Sequence, residues 1–339
     1  MKAFVIKAGS NSMAGLAKVE RDQPVAGPGE ILIKMKAASL NYRDLAVPMG
    51  QYIGGPVPRD IVALSDGCGE VIATGEGVTR FKHGDRAAAT FFKGCVDKLP
   101  NPMQDAALGA IDVDGVLAEY IVVKEHDAVH VPANLNWLEG ATLPCAGLTA
   151  WNALMVAGRP LQLGDTVLLL GTGGVSMQAL LFAKAAGARV IITSSSDEKL
   201  AKAREYGADL LINYRKTPEW HEEVLALTGG RGVDCVVEVG GAGTVGRSMK
   251  AICHGGKIAL IGILTQEGDT NPRTLMFKAG SMHGIFVGNR AMFEQMNRTI
   301  EFHNIHPLID RVFPFDEASQ AYAYMQSQAQ IGKIVISFE

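Results

Sequence analysis

The stretch LLLGTGGVSMQALLFAKAAGARVIITSSSDEKL (168–200) carries the most specific chemistry in the sequence. Gly171-Thr172-Gly173-Gly174-Val175-Ser176 reads G-x-G-x-x-S between a strand-like apolar run and a helical one, the setting of a dinucleotide-binding turn. Gly171 permits the tight turn, and Gly173 lets backbone approach a pyrophosphate. The helix start at Gly174 and Val175 offers free N–H groups to that charge. Ser176 stands where a third glycine would allow close helix–strand packing, and serine is small enough at slightly wider spacing. The second apolar run ends at Ser194, 23 residues after Gly171. That is near the spacing of about 20 at which an acid binds the ribose 2′-OH of NAD. Ser194, Ser195 and Ser196 supply hydroxyl donors there instead, so a 2′-phosphate is not repelled. Lys199 on the next helix adds positive charge, and Tyr214 past the third strand adds a donor. The reading is NADPH in preference to NADH. Asp197 and Glu198 work against it, and Lys199 taken singly is an ordinary solvated helix residue.

The elements that must position this turn follow from the pattern around it. From Thr149 onward, TVLLLG (166–171), ARVIITS (188–194), DLLINY (209–214), VDCVVEVG (233–240) and GKIALIG (256–262) are near-continuous apolar runs of strand length. Helical spacing lies between most of them, as at 177–186 and 198–206. Strands apolar on both faces and alternating with helices predict a doubly wound parallel sheet, an α/β architecture. HGIFVG (283–288) reads as a sixth strand. The first ~150 residues differ: short apolar runs (31–40, 69–75, 85–90, 118–123) broken by GPGE, GGPVP, TGEGV and KHGD predict a mostly β, partly closed sheet. The tail reads as a helix (292–302), then a strand and a helix, then GKIVISF as a last strand able to pair back into the first domain. The expected division is 1–149 with 289–339, against 150–288.

Composition bounds the partners. The chain has 339 residues, 47% hydrophobic and 20% charged, with a net charge of −3, so nothing favours nucleic acid or an anionic membrane. No apolar run approaches the roughly 20 residues of a membrane span, and the N-terminus lacks the core of a signal peptide. Five scattered cysteines without a C-x-x-C pair argue for a reducing, cytoplasmic setting.

Read together, SLNYRDL (39–45), GCGEVIATGEGVTRFKHGDR (67–86), DGVLAEYIVV (114–123), LPCAGLTAW (143–151), the glycine turn and GKIVI (332–336) make the chain resemble the medium-chain dehydrogenase/reductase superfamily. Within it, the resemblance is to the zinc-free, quinone-oxidoreductase-like branch, and it covers nearly the whole chain. It implies a GroES-like domain, a Rossmann domain, a cofactor in the cleft between them, and a homodimer or tetramer. Segment 276–288 and GKIALIG are the expected edge-to-edge dimer sheet.

Zinc-using members of the family place ligands at positions held here by Asn41, Ser65 and Cys145, of which only Cys145 is a usual ligand type. Asp44 and Asp66 are possible companions for Cys145 in an unusual site, and a packed core cysteine is the plainer alternative. His126 and His130 lie in an extended run and read as surface residues. No metal is expected. The resemblance puts Asn41 beside the nicotinamide, where its amide holds the cofactor or bonds a substrate carbonyl. Tyr42 walls the pocket, and Asp44 orients its neighbours. Tyr52 sits where related enoyl reductases carry a tyrosine proposed as proton donor, and a phenol with pKa near 10 suits an acid. Arg43 reads as a structural ion-pair partner. Thr149 falls near the nicotinamide, and Lys333 aligns with a basic residue that reaches the cofactor phosphate, a surface strand lysine being the alternative. Val287, Gly288 and Asn289 end the sixth strand and bond the nicotinamide amide through backbone groups.

Without zinc there is no Lewis acid to acidify an alcohol, whereas a quinone or an alkene conjugated to a carbonyl delocalises incoming electrons onto oxygen. The expected activity is an NADPH-dependent, metal-free oxidoreductase acting on a quinone or α,β-unsaturated carbonyl. Two alternatives stay open: an alcohol dehydrogenase with an altered or absent zinc site, and a nucleotide-binding sensor or structural protein without turnover.

Overall fold

The computed structural model describes residues 1–339 apart from Ile263, Gln266 and Asp269. The chain divides into Met1–Leu148 with Val287–Glu339, and Thr149–Phe286. Thr149 therefore lies in the second unit, and Val287 and Gly288 lie in the first, one and two residues from the expected boundaries.

The second unit is built on a six-stranded sheet in the order Leu210–Asn213, Arg189–Ser194, Thr166–Leu169, Val233–Glu238, Ile252–Leu260, Ser281–Gly284. All its pairings are parallel, which gives the strand order of a Rossmann fold. TVLL and VDCVVE are buried along their whole length, as strands covered on both faces must be. Leu168, Ile191, Val236 and Ile258 are at the centre of the unit's apolar core. Two expectations change here. The sixth strand is Ser281–Gly284, not 283–288. Val287 has a φ of +56°, which takes the backbone out of extended geometry at a branched residue. GKIALIG is not an edge: its strand lies between Val233–Glu238 and Ser281–Gly284, leaving Ser281–Gly284 at the border.

The first unit has a three-stranded sheet (Leu16–Glu20, Lys2–Ile6, Ile61–Val62) and a seven-stranded one. Its core includes a cluster containing Phe4, Ile33, Leu64, Val116, Tyr322 and Ile336. The strand Glu30–Ser39 is the hub. It pairs antiparallel with Asp66–Thr74 along its length, with Tyr120–Lys124 over its first half and with Lys333–Ser337 over its second. In that register Ser39 is opposite Asp66 on one side and Val335 on the other. The Leu40 N–H continues the ladder by donating to the Ile334 carbonyl at 3.1 Å. The final strand thus returns to the first unit and brings Lys333 level with Asn41, just past the end of the hub strand.

Candidate active site

The glycine turn of the second unit has the expected form. Gly171 has a φ of +72°, which only glycine adopts at no steric cost, and its N–H donates to Thr193 Oγ1 at 3.2 Å. Gly173 is different. It is exposed, its φ is −78°, and a Cβ there would meet nothing within 4 Å. Neither backbone nor packing requires glycine at 173, so the open space fits an approaching ligand. Gly173 is also the N-cap of the helix Gly174–Ala185 and has no side chain with which to cap it. The N–H groups of Gly174 and Val175 are therefore placed for an anion. Thr172 is buried beside them. Ser176 Oγ donates to the Leu170 carbonyl at 2.7 Å, which ties helix to strand where a third glycine would have let them approach.

The strand Arg189–Ser194 ends in the serines. Ser194 is buried with its Oγ accepting from the Ser196 N–H at 3.4 Å, and Ser195 is half-buried. Ser196 caps the helix Asp197–Glu205 by accepting from the Lys199 N–H. Lys199 is half-buried, and Tyr214 is 40% exposed with its N–H on the Ser194 carbonyl at 3.0 Å. The acid expected to oppose a 2′-phosphate is partly neutralised. Asp197 accepts from Asn213 Nδ2 at 2.6 Å and Lys216 Nζ at 2.5 Å, which hold its pKa below the usual range. Arg215 and Lys216 are exposed cations that sequence reasoning missed; the YRK run after the third strand was the signal. Thr149 is buried in the short helix Leu148–Trp151.

The first unit holds a separate polar cluster around Asn41. Lys333 is 2% exposed, so it is not a surface lysine. Its Nζ donates to the Leu40 carbonyl at 2.5 Å and to Asn41 Oδ1 at 2.6 Å, and lies 4.0 Å from Asp66 Oδ2. Lys333 thus belongs to a buried cluster with Leu40, Asn41 and Asp66. Asp66 is fully buried and accepts from Ser65 Oγ at 2.7 Å and from the Cys145 N–H at 2.9 Å. Burial raises its pKa, with Lys333 the largest opposing influence. Leu64, with a φ of +66°, sets the approach to this pair. A Cβ at Gly115 would lie 1.9 Å from the Leu64 carbonyl oxygen, so only glycine fits beside it. Cys145 lies in a π-helical turn, Leu143–Gly147, and burial followed by the Asp66 charge pushes its thiol pKa up.

Asp44 is 2% exposed; its Oδ2 accepts from the Asn41 N–H at 2.7 Å, which fixes the start of the helix Arg43–Ala46. Burial raises its pKa to about 6. Asn41 Nδ2 is buried and faces the Asp66 carboxylate, whose pKa it helps to lower, without reaching full hydrogen-bond geometry. Arg43 is the expected ion-pair partner, its Nη1 3.7 Å from Asp44 Oδ1 with little of either side chain exposed, and it has further contacts. It donates to the Leu108 carbonyl at 2.8 Å and lies over the rings of Tyr52 at 4.6 Å and Phe91 at 4.9 Å. Burial raises the Tyr52 pKa, with the Arg43 charge drawing it partly back, so the phenol keeps its proton at neutral pH. Tyr42 is 46% exposed. Tyr322, which the sequence did not single out, buries a hydroxyl that has no partner, and burial with the Asp44 charge pushes its pKa well up. Asn289 caps the helix Arg290–Phe302 through Oδ1 and donates to the Asp97 and Lys98 carbonyls through Nδ2, while Val287 and Gly288 lead into it.

A family model for zinc-binding dehydrogenases matches residues 174–301, and one for the alcohol dehydrogenase GroES-like domain matches residues 27–133. A zinc-type alcohol dehydrogenase-like protein of Schizosaccharomyces pombe is 45% identical over 321 residues, 92% of each chain. The chain belongs to the medium-chain dehydrogenase/reductase superfamily. Among solved members of this superfamily, an NAD-dependent alcohol dehydrogenase aligns with a TM-score of 0.91 and 31% identity over 100% of both chains. A 2-octenoyl-CoA carboxylase reductase, solved with NADP and 2-octenoyl-CoA, aligns with a TM-score of 0.87 and 27% identity over 99% of this chain and 87% of that one. The protein is accordingly an NAD(P)-dependent oxidoreductase of the superfamily.

The family resemblance puts the zinc-ligand positions at Asn41, Ser65 and Cys145, and the donors present there do not fit the metal. Asn41 Oδ1 and Ser65 Oγ are engaged by Lys333 and Asp66. Cys145 is the one usual ligand type of the three, and Zn²⁺ takes about four such donors. An ammonium 4.0 Å from Asp66 would repel a second cation there. Among the described residues no group of three or more His, Cys, Asp or Glu side chains is placed to hold a metal ion.

Proposed function

We propose that the protein is an NADPH-dependent reductase of quinones or α,β-unsaturated carbonyls that works without a metal. The observation that carries this reading is the Lys333 ammonium on Asn41 Oδ1, a cation already lodged among the positions where relatives hold zinc. The glycine turn would hold the pyrophosphate through the N–H groups of Gly174 and Val175. The Ser194–Ser196 end of the second strand, with Lys199, Arg215 and Tyr214 near it, supports the phosphorylated coenzyme. When bound, NADPH would supply a hydride for the β-carbon of the acceptor; the alkene pair would shift toward the carbonyl carbon and the carbonyl π pair onto oxygen, and a proton at the α-carbon would complete the saturated ketone.

The residues of this chain have the remaining tasks. Asn41 offers a hydrogen bond to the acceptor oxygen, and Tyr52, protonated at neutral pH, is the proton donor. Tyr42 lines the substrate's surroundings, and Asp44 fixes the backbone of Asn41. Five cysteines, all free, support a reducing cytoplasm, and no helix among the described residues is long and apolar enough to cross a membrane. The border strand Ser281–Gly284, with Met276 and Phe277 exposed just before it, supports a homodimer joined along that edge.

Alcohol oxidation is the second reading, favoured by the 31% identity to an NAD-dependent alcohol dehydrogenase. A panel of 1,4-benzoquinone, 2-cyclohexenone and simple alcohols, run with NADPH and NADH, separates the two. Enone or quinone turnover with NADPH is expected. Steady NADP⁺ reduction by simple alcohols with no enone turnover, or about one zinc per chain by elemental analysis, would replace this proposal with the second reading.

A further inference from the structure

On the reading that the acceptor is a conjugated carbonyl, we infer that Lys333 takes over the electrostatic task of the missing metal and performs it through the Asn41 amide. Asn41 is the catalytic residue, because it meets the acceptor oxygen. Lys333 is a positioning and polarising residue, because it reaches that oxygen only through Asn41.

Three observations lead there. The first is orientation. An ammonium has donors only, so the atom of the Asn41 amide that faces Lys333 at 2.6 Å must be the oxygen. That contact settles which end of the amide is which, and leaves the NH₂ group as the end available to a ligand. The second is donor capacity. Asn41 Nδ2 is buried and carries two hydrogens; its neighbour is the Asp66 carboxylate, whose pKa the amide helps to lower, at a contact short of full hydrogen-bond geometry. At least one N–H is therefore left for a carbonyl oxygen, and more so for the negative oxygen that forms on hydride addition. The third is polarisation. A positive charge on Oδ1 draws electron density from the amide nitrogen and makes its N–H groups stronger donors, as linked hydrogen bonds do in a site of low dielectric.

The surroundings keep this device in place. Asp44 holds the Asn41 N–H at 2.7 Å, the Leu40 carbonyl takes a second Lys333 proton at 2.5 Å, and Asp66 at 4.0 Å partly balances the ammonium without bonding it directly. Asp66 is in turn fastened by Ser65 and by the Cys145 N–H. All three zinc-ligand positions of the family are thereby tied to one buried cation, Asn41 directly and the other two through Asp66.

The test uses the whole chain in five forms: wild type, Lys333→Met, Lys333→Arg, Asn41→Ala and the Lys333→Met/Asn41→Ala double variant. Lys333→Met is expected to lower kcat for 2-cyclohexenone by about 100-fold, the loss typical of one transition-state donor. Its Kd for NADPH, read by fluorescence titration, should stay within about twofold of wild type, because the lost interaction is made with the acceptor. Lys333→Arg should recover part of kcat by retaining the charge. Asn41→Ala should lose about as much as Lys333→Met, and the double variant no more than Asn41→Ala alone, as for two residues acting as one unit. A readout free of turnover is the infrared carbonyl stretch of ¹³C-labelled cyclohexanone bound with NADP⁺: lowered in wild type, and returned toward its unbound frequency in Lys333→Met. If Lys333→Met proves unfolded by its melting curve, Lys333→Arg and Asn41→Ala still decide the matter. The inference is overturned by a tenfold rise in NADPH Kd with kcat unchanged, which would make Lys333 a phosphate ligand, or by full multiplicative losses in the double variant. A wild type that reduces neither 2-cyclohexenone nor 1,4-benzoquinone defeats the proposed function instead, and the carbonyl stretch then still reports on the amide.

Discussion

The Nζ of Lys333 lies 2.6 Å from Oδ1 of Asn41, although the two are separated by 292 positions in the chain. The contact is a product of sheet register. Val335 faces Ser39, so the residue two before one faces the residue two after the other. The Leu40 carbonyl, Asp44 and Asp66 are arranged about this pair.

The two glycines of the phosphate turn should separate folding from binding. Gly171→Ala forces a side chain into a φ of +72° and should cost about 1–2 kcal/mol of stability. Gly173→Ala meets no protein atom and keeps an ordinary φ, so its melting temperature should match wild type. Its NADPH Kd should nonetheless rise about tenfold or more, because the methyl group takes the space of the pyrophosphate. Melting curves and fluorescence titration check both, and an unchanged Kd in Gly173→Ala would contradict the phosphate role.

Coenzyme choice should respond to Ser195. A carboxylate at this half-buried position would face the 2′-phosphate without a cation committed to it, unlike Asp197 with Lys216. Ser195→Asp should weaken NADPH by about 100-fold and leave NADH nearly unchanged. Parallel titrations with the two coenzymes measure the ratio; equal losses for both would mean that the serines do not meet the phosphate.

Asp44 makes stability depend on pH in a direction opposite to that of a surface ion pair. Burial raises its pKa from 3.8 to about 6, so the folded state holds the proton more tightly than the unfolded chain. Stability is then greatest, as far as this group is concerned, below its unfolded value and falls as pH rises through about 4 to 6, by at most about 3 kcal/mol. Asp66 is shifted in the same direction. Asp44→Asn should therefore flatten much of the slope between pH 4.5 and 7, though not all of it. Denaturant titrations at those two pH values are the check, and an unaltered difference would remove Asp44 as its source.

Tyr52 and Tyr322 should behave oppositely when their hydroxyls are removed. Tyr52→Phe should lower kcat by about 100-fold, as expected for loss of a positioned acid, with NADPH Kd unchanged. Tyr322→Phe deletes a buried hydroxyl without a partner and should add about 1 kcal/mol to stability with activity kept. Steady-state kinetics and melting curves on the two variants decide each case.

Much of the scaffold was legible because it is written locally. Runs such as TVLL and VDCVVE are buried from end to end, and an uninterrupted apolar stretch between glycines has few other uses. The glycine turn was legible for a similar reason, since Gly171 and Ser176 act within their own neighbourhood. The sixth strand was misjudged because Ile285–Val287 continues the apolar run, while the backbone turns away at the positive φ of Val287. The Lys333–Asn41 pair was illegible because a strand's partner, and the register within that pairing, are set by the whole sheet. Arg43 was legible in part: the ion pair with its sequence neighbour Asp44 forms, while the two rings and two carbonyls that it also meets come from distant parts of the chain.

That Lys333–Ser337 completes the first sheet has a consequence for biosynthesis. This strand leaves the ribosome after the hub strand and Asn41, with all of Thr149–Phe286 synthesised between them. The second half of the hub strand keeps an unpaired edge until Lys333–Ser337 emerges, and a chain truncated before Lys333 would hold no cation on Asn41 Oδ1.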